Sequence, residues 1–307
     1  MLEDFLPPSV VLPIPTTTTT HLSDIPGRIL NGIDDESLDD PIILGVDEAG
    51  RGPVLGPMVY GVAYSRKTDS EVLKKFGFDD SKKLTEQKRE ELMRGICGAE
   101  TDLFDSIGWA TTSITARDIS AGMLRPRQAT YNLNSQAHDV TMELIDEVMR
   151  KGVKVREVYV DTVGPPISYQ KKLQDRFPTL KITVTKKADS LFPIVSAASI
   201  VAKVTRDYSL FHSAKQRQME VSWGSGYPSD PRTCKWLNGE VDPLFGWDHN
   251  VRYSWQTAKE AIKRSGGLVM TWEDDLEEKD DDYGDIGQMF NGGRKERDVI
   301  KCDWFIK

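Results

Sequence analysis

Cysteine is scarce in this chain: three in 307 residues, at positions 97, 234 and 302, with no CxxC pair and no Cys/His ligand spacing. The odd count argues against a disulfide framework and a structural zinc, and favours a reducing, intracellular setting. No stretch approaches the roughly 18 uninterrupted apolar residues that cross a bilayer, so no membrane anchor or membrane partner is expected. The opening "MLEDFLPPSV" lacks a basic start followed by an apolar core, and no signal peptide is expected. No GxxxxGK[ST] occurs, which excludes a P-loop. "GRGPVLG" has the wrong glycine spacing for a dinucleotide fingerprint, and Pro53 blocks the usual helix opening. Of the four histidines, His138 and His212 have no partner at ligand spacing; both read as structural or surface residues, and no histidine base is assigned.

Negative charge is what the chain has in excess, but only at its ends. Residues 1–40 carry eight acids and one base, and residues 273–307 twelve acids and six bases. That leaves 28 acids and 33 bases in residues 41–272, a net +5 within a total of −8. A mildly basic body suits a polyanionic partner, because its basic side chains can replace condensed counterions. Many proteins of the same balance bind no nucleic acid, so the charge admits this class without selecting it.

Residues 1–40, with "PIPTTTTTHLSD" and "DDESLDD", read as a flexible acidic segment. Residues 41–215 alternate strands and helices. "PIILGVD", "PMVYGVAYS", "SIGWATTSIT", "VREVYVD" and "KITVTKKAD" read as strands. "TEQKREELMRGICG", "NSQAHDVTMELIDEVMRKG", "SYQKKLQDRF" and "SLFPIVSAASIVAKVTRDYSLF" read as helices. In the second of these Ala137, Val140, Leu144 and Val148 form one apolar stripe. In the last, Pro193 falls in the first turn and "VSAAS" offers small residues for close packing on a sheet. The order of elements predicts an α/β fold: a mixed five-stranded sheet flanked by helices. Residues 216–265 form a helical extension packed on it, and 266–307 an acidic linker and tail. Within the tail, "WEDDLEEKDDDYGD" (272–285) reads as solvated linker. Trp304, Phe305 and Ile306 near the end either engage a partner or pack on the chain's own body.

Four carboxylates stand where elements end. Asp47 and Glu48 close the first strand, Asp161 closes the fourth, and Asp189 sits where the fifth yields to a helix. If the first and fourth strands are neighbours, Asp47 and Asp161 meet at one sheet edge and Asp189 can lean in. Like charges so close raise each other's pKa, and hard divalent cations with oxygen ligands relieve that cost. A single acid at a strand end is most often solvated, and Asp189 alone is accounted for as a helix cap. Behind the acids, Gly50 and Gly52 permit positive φ and close backbone approach, and Arg51 supplies a donor fork suited to phosphate. A tight strand–strand turn with an exposed arginine fits the same residues. Lys203 and Arg206, on the helix after Asp189, reach either phosphate or solvent.

"GVDEAGRGPVLGPMVYGVAY", "DDSKKL", "YNLNSQAHD", "VYVDTVGPP", "KKADSLFPIVSAASIVAKVTRD" and "GSGYPSDPRT" occur in order between residues 41 and 258. Together they closely resemble the type 2 ribonuclease H family, in particular the catalytic A subunit of the eukaryotic enzyme, related to bacterial RNase HII. The resemblance implies an RNase H-like sheet and a nuclease that hydrolyses RNA in RNA/DNA hybrids. It implies incision 5′ of single ribonucleotides embedded in duplex DNA, with 3′-hydroxyl and 5′-phosphate products, as in ribonucleotide excision repair and DNA replication. By motif, Asp47, Glu48, Asp161 and Asp189 are the catalytic, metal-binding acids, using Mg²⁺ or Mn²⁺. Gly50, Arg51 and Gly52 match the turn that reads the ribose 2′-hydroxyl, the group that separates RNA from DNA. Tyr227 matches a tyrosine stacked beside the ribonucleotide, and Asp80, Ser81 and Lys82 a motif near the backbone phosphates. The resemblance also implies a heterotrimer with two non-catalytic subunits, B and C, and a nuclear location. The threonine-rich start, the acidic linker and the final "CDWFIK" have no counterpart in it. Acid-cluster transposases, junction resolvases and exonucleases are the enzymatic rivals, and a cation-binding nucleic-acid scaffold the non-enzymatic one. The Gly-Arg-Gly turn and Tyr227 are what those enzymes would not need.

Overall fold

The two apolar runs that flank the Gly-Arg-Gly turn lie side by side in the middle of the sheet. The computed structural model describes residues 5–30, 40–78, 84–99, 101–126, 129–162, 164–217 and 223–267. Asp80, Ser81 and Lys82, the stretch 272–285, and Trp304, Phe305 and Ile306 lie outside the described residues. The chain runs β1 (Thr19–Leu22), α1 (Gly27–Leu30), β2 (Ile42–Ala49), β3 (Met58–Arg66), α2 (Ser70–Phe76), α3 (Glu86–Cys97) and α4 (Asp102–Ser106). It continues with β4 (Gly108–Ile114), α5 (Ala116–Met123), α6 (Leu133–Arg150), β5 (Val155–Asp161), α7 (Pro166–Arg176) and β6 (Lys181–Thr185). Then come α8 (Ala188–Leu191), α9 (Pro193–Gln216), α10 (Pro231–Gly239) and α11 (Gln256–Arg264). Among the described residues no helix is long and apolar enough to cross a membrane.

The strand order is β1-β4-β3-β2-β5-β6. β1, β4, β3 and β2 pair antiparallel, while β2, β5 and β6 are parallel. The first and fourth predicted strands are therefore neighbours, and their register sets Val46 opposite Val160, so Asp47 and Asp161 follow side by side.

The sheet has six strands where the sequence pattern predicts five, and the extra one comes from the segment expected to be loose. Thr19 pairs with Ser113 and Leu22 with Ala110 along the free edge of β4. A threonine run is β-branched, which suits an edge strand; its proline and aspartate neighbours mask that. Other contacts hold the segment down. Ser9 shares a buried hydroxyl–hydroxyl hydrogen bond with Thr205 (2.7 Å), and Asp118 Oδ2 accepts from the Thr18 amide (2.7 Å) and hydroxyl (2.6 Å).

Two helices place the site. α6 is capped by Asn132, whose side-chain oxygen accepts the Ser135 amide. It buries Ala137, Val140, Leu144 and Val148 as the periodicity predicts. α9 begins at Pro193, not at Ser190: Phe192, preceding proline, is extended (φ −126°, ψ 114°) and splits off the short α8. The buried Ser196, Ala197, Ala198 and Ser199 let α9 lie close against the sheet. A Cβ at Gly45 or Gly61 would stand 2.5 Å from the Ile194 carbonyl oxygen or 2.6 Å from that of Ala198. No side chain fits between helix and strands there.

α10 and α11 share a core with Val54 and Leu55, which lie just past the Gly-Arg-Gly turn, together with Leu210, Trp223, Trp236 and Val251. Val54 and Leu55 are fully buried, each contributing about 1.5–3 kcal/mol to fixing that turn. Residues 223–265 thus form the turn's back wall.

Candidate active site

Parallel pairing brings β2 and β5 to one edge, and a sharp turn brings in the third acid. Lys187 adopts a left-handed conformation (φ 60°), unusual for a residue with a Cβ, and swings the chain from β6 back over the sheet end. The next amide, of Ala188, donates to Asp161 Oδ1 (3.0 Å). Asp189 is fully buried. Asp47, Asp161 and Asp189 each offer an oxygen, all within 4.8 Å of one another.

Asp47 is also buried, and the Glu48 amide donates to its Oδ1 (2.8 Å). Burial raises its carboxyl above the ordinary carboxylate range and the nearby charge of Asp161 adds to this, while the Ser199 hydroxyl and the Lys203 charge oppose it. A cluster that resists carrying its own negative charge is stabilised by a cation. Hard carboxylate oxygens at this spacing fit a divalent ion of the Mg²⁺ or Mn²⁺ kind.

Glu48 follows Asp47 on the strand and so faces the other way. It lines a cleft of about 120 Å³ with Arg51, Tyr60, Asn134, His138 and Asp161. Asp161 belongs to both the cleft and the three-acid cluster, whereas Glu48 shares the cleft and is not among the acids whose oxygens lie within 4.8 Å of one another. Arg51 reaches across the cleft mouth, its guanidinium on the Asn134 side-chain oxygen and 3.5 Å from the Tyr60 hydroxyl. His138 stands in the cleft wall, stacked on Tyr169 with ring centroids 3.9 Å apart. Burial, and then the charges of Lys172 and Arg51, lower its pKa, which favours the neutral ring. His212 lies on α9 against Phe211, away from the cleft.

The two glycines of the turn serve different ends. Gly50 has φ +76°, and a Cβ there would lie 2.6 Å from the Pro57 carbonyl oxygen. Gly52 does not have the positive φ that its residue type permits; it leaves room for Tyr227, whose Cε1 would be 3.3 Å from an added Cβ. The Tyr227 loop is stapled to the turn, since the Gly226 carbonyl accepts from the Val54 (2.8 Å) and Leu55 (3.2 Å) amides. Tyr227 itself is 41% exposed. Arg206 is turned inward: it bonds Asp207 (2.9 Å) and the Ser225 carbonyl (2.5 Å), and lies 5.8 Å from the Tyr227 ring centre. It braces the turn and is neither an exposed phosphate hook nor a solvated helix face. Lys203, one turn earlier, is near enough for its charge to act on Asp47.

Sequence reasoning missed Ser199, Asn134 and Arg252. Ser199 lies within the run that reads as packing, Asn134 within a helix start, and Arg252 within "NVRYSW", where no periodicity marks a buried cation. Arg252 is fully buried and donates to the Gly50 (2.6 Å), Arg51 (3.0 Å) and Gly56 (3.1 Å) carbonyls.

Comparison with known proteins agrees with this geometry. A family model described as ribonuclease HII matches residues 44–258. The A subunit of ribonuclease H2 from Schizosaccharomyces pombe is 53% identical over 276 residues, covering 88% of this chain and 81% of the relative. Its Neurospora crassa namesake is 47% identical over 309 residues, covering 98% and 94%. That alignment reaches into the terminal segments the motifs left unmatched. The crystal structure of ribonuclease H2 from Pyrococcus horikoshii superposes with a TM-score of 0.60 at 33% identity, covering 73% of this chain and 98% of that one.

Proposed function

This chain belongs to the ribonuclease HII family, among the A subunits of ribonuclease H2, and on that premise we propose the reaction it catalyses. It is a type 2 ribonuclease H that cuts RNA in RNA/DNA hybrids and incises 5′ of single ribonucleotides in duplex DNA. The observation that carries this reading is the meeting of Asp47, Asp161 and Asp189 within 4.8 Å, next to a turn built for close approach.

The acids are arranged to hold Mg²⁺ or Mn²⁺, with Asp47 and Asp189 buried and Asp161 shared with the cleft. Two such ions would stabilise both the attacking and the leaving oxygen of an in-line phosphodiester displacement. Asp189 or a substrate phosphate aligns the attacking water. Water adds to the phosphorus on the 5′ side of the ribonucleotide and the bond to the upstream 3′-oxygen breaks, leaving a 3′-hydroxyl and a 5′-phosphate. Gly50, Arg51 and Gly52 read the 2′-hydroxyl, and Tyr227, held against Gly52, stacks beside the sugar. Lys203 and the motif at Asp80, Ser81 and Lys82 engage backbone phosphates. In the cell the chain works in the nucleus with two non-catalytic subunits, B and C. Its relatives, themselves A subunits of ribonuclease H2, support a multi-subunit assembly.

The test is a cleavage map with Mg²⁺ on a duplex bearing one ribonucleotide, beside the same duplex in all-DNA form. One cut 5′ of the ribose and an intact control are expected. Equal cutting of both would favour a general DNA nuclease and overturn the reading.

A further inference from the structure

We infer that Arg252 and Trp255 are positioning residues that set the Gly50–Gly52 turn for ribonucleotide recognition. The inference rests on the proposed reading of that turn. Three consecutive carbonyls are claimed by two side chains about two hundred residues further along. Arg252 takes those of Gly50 (2.6 Å) and Arg51 (3.0 Å), and the Trp255 indole N–H takes that of Gly52 (2.9 Å). The Arg252 guanidinium lies 4.8 Å from the Trp255 ring centre, so the two act as one unit.

A buried guanidinium is costly, and this one pairs with no carboxylate among the described residues. Burial lowers its pKa to about 9, and the neighbouring charge of Arg206 acts the same way. An apolar side chain would fill the space at less cost, but only a planar donor fork satisfies several converging carbonyls. In a trans peptide the C=O and N–H point in opposite directions. Drawing the Gly50 and Arg51 carbonyls inward therefore turns the Arg51 and Gly52 amides outward. Among the described residues, no protein oxygen accepts from either amide. The brace keeps two donors fixed and unspent on the substrate side. This arrangement prepays the orientation that recognition would otherwise require.

The test uses the full chain assembled with its partner subunits, on a duplex with one ribonucleotide and on an RNA/DNA hybrid. Trp255→Phe removes one donor while keeping the ring over Arg252. Arg252→Lys keeps the charge but cannot span the carbonyls. Trp255→Phe is expected to lose about ten-fold in kcat, and Arg252→Lys on the order of 10²-fold. KM and the Mg²⁺ concentration for half-maximal rate should be unchanged, and the Tm of Trp255→Phe should fall by no more than a few degrees. Wild-type kcat in both folded variants would overturn the inference. So would losses that track the fall in Tm and vanish on cooling, since these would show a merely structural role. If the wild-type assembly itself fails to cut the ribonucleotide duplex, the proposed function falls first.

Discussion

Asp47 is a carboxylate whose surroundings oppose its charge, and that gives its replacement two opposite effects. Its pKa is raised by burial and then by Asp161. The ionised form therefore weakens the fold increasingly as pH rises above the ordinary value of 3.8 and toward the raised one. Asp47→Asn removes that penalty. In metal-free buffer at neutral pH the variant should melt at or above the wild-type temperature. Its cleavage rate should fall by at least about 10³-fold, while duplex binding, measured by anisotropy, persists. An active Asp47→Asn variant would remove the role assigned to the acids. Gly50 behaves in the reverse manner, because its replacement harms fold and function together. Gly50→Ala sets a Cβ at φ +76° and 2.6 Å from the Pro57 carbonyl oxygen. The expected cost is about 1–3 kcal/mol, seen as a Tm lower by several degrees, with cleavage reduced even at temperatures where the variant is folded.

At the scale of elements, β1 is the strand most open to test, since it pairs only along the edge of β4. Asp118 anchors its approach. Burial alone would raise the Asp118 pKa, but the two hydrogen bonds from Thr18, that from Thr115 and the charge of Arg117 together outweigh it and the pKa is lowered. A depressed carboxylate stabilises fully above the ordinary 3.8 and loses that contribution as pH falls through its folded value. Asp118→Asn should thus destabilise by about 1 kcal/mol at pH 7, a modest figure for a partly exposed site. The difference should be smaller at pH 3, below the ordinary 3.8, than at pH 7. Urea unfolding of both proteins at the two pH values checks this, and a gap undiminished in acid would assign the effect to packing. β1 also marks where the sequence stops being legible. β2, β5 and their terminal acids can be read because an apolar run ending in Asp is a local signal. The neighbour relation of Asp47 and Asp161 then needs only strand order. β1 is hidden because threonines between prolines satisfy a disorder composition and an edge strand equally well, and the deciding contact, Thr20 with Thr112, lies 92 residues away. Arg252 and Trp255 are illegible for the same reason, since their partners are backbone carbonyls more than 190 residues earlier. Arg206 is easily misread because helical position alone does not tell a buried brace from an exposed base.

Across the whole molecule, the division of charge opposes the chemistry at its centre. The body from 41 to 272 is net +5 and suits a nucleic-acid duplex, yet the full chain is −8, with residues 273–307 contributing −6. The net charge of the full chain therefore sets up a far field that repels a duplex, although the charge of residues 41–272 alone does not. Such a field acts on association far more than on the rate at which the bound complex separates. It is also screened, with a Debye length of about 30 Å at 0.01 M salt and about 8 Å at 0.15 M. Removing residues 273–307 would change the net charge from −8 to −2. The truncated chain should associate with a ribonucleotide-containing duplex faster at low salt, by about ten-fold. The dissociation rate should be unaltered, and the advantage should shrink steadily toward 0.5 M salt. Stopped-flow fluorescence on a labelled duplex separates the two rates. An unchanged association rate at low salt would mean that the acidic end does not lie within reach of the incoming duplex. A faster dissociation would mean instead that these residues hold the substrate by direct contact, contrary to what their charge requires.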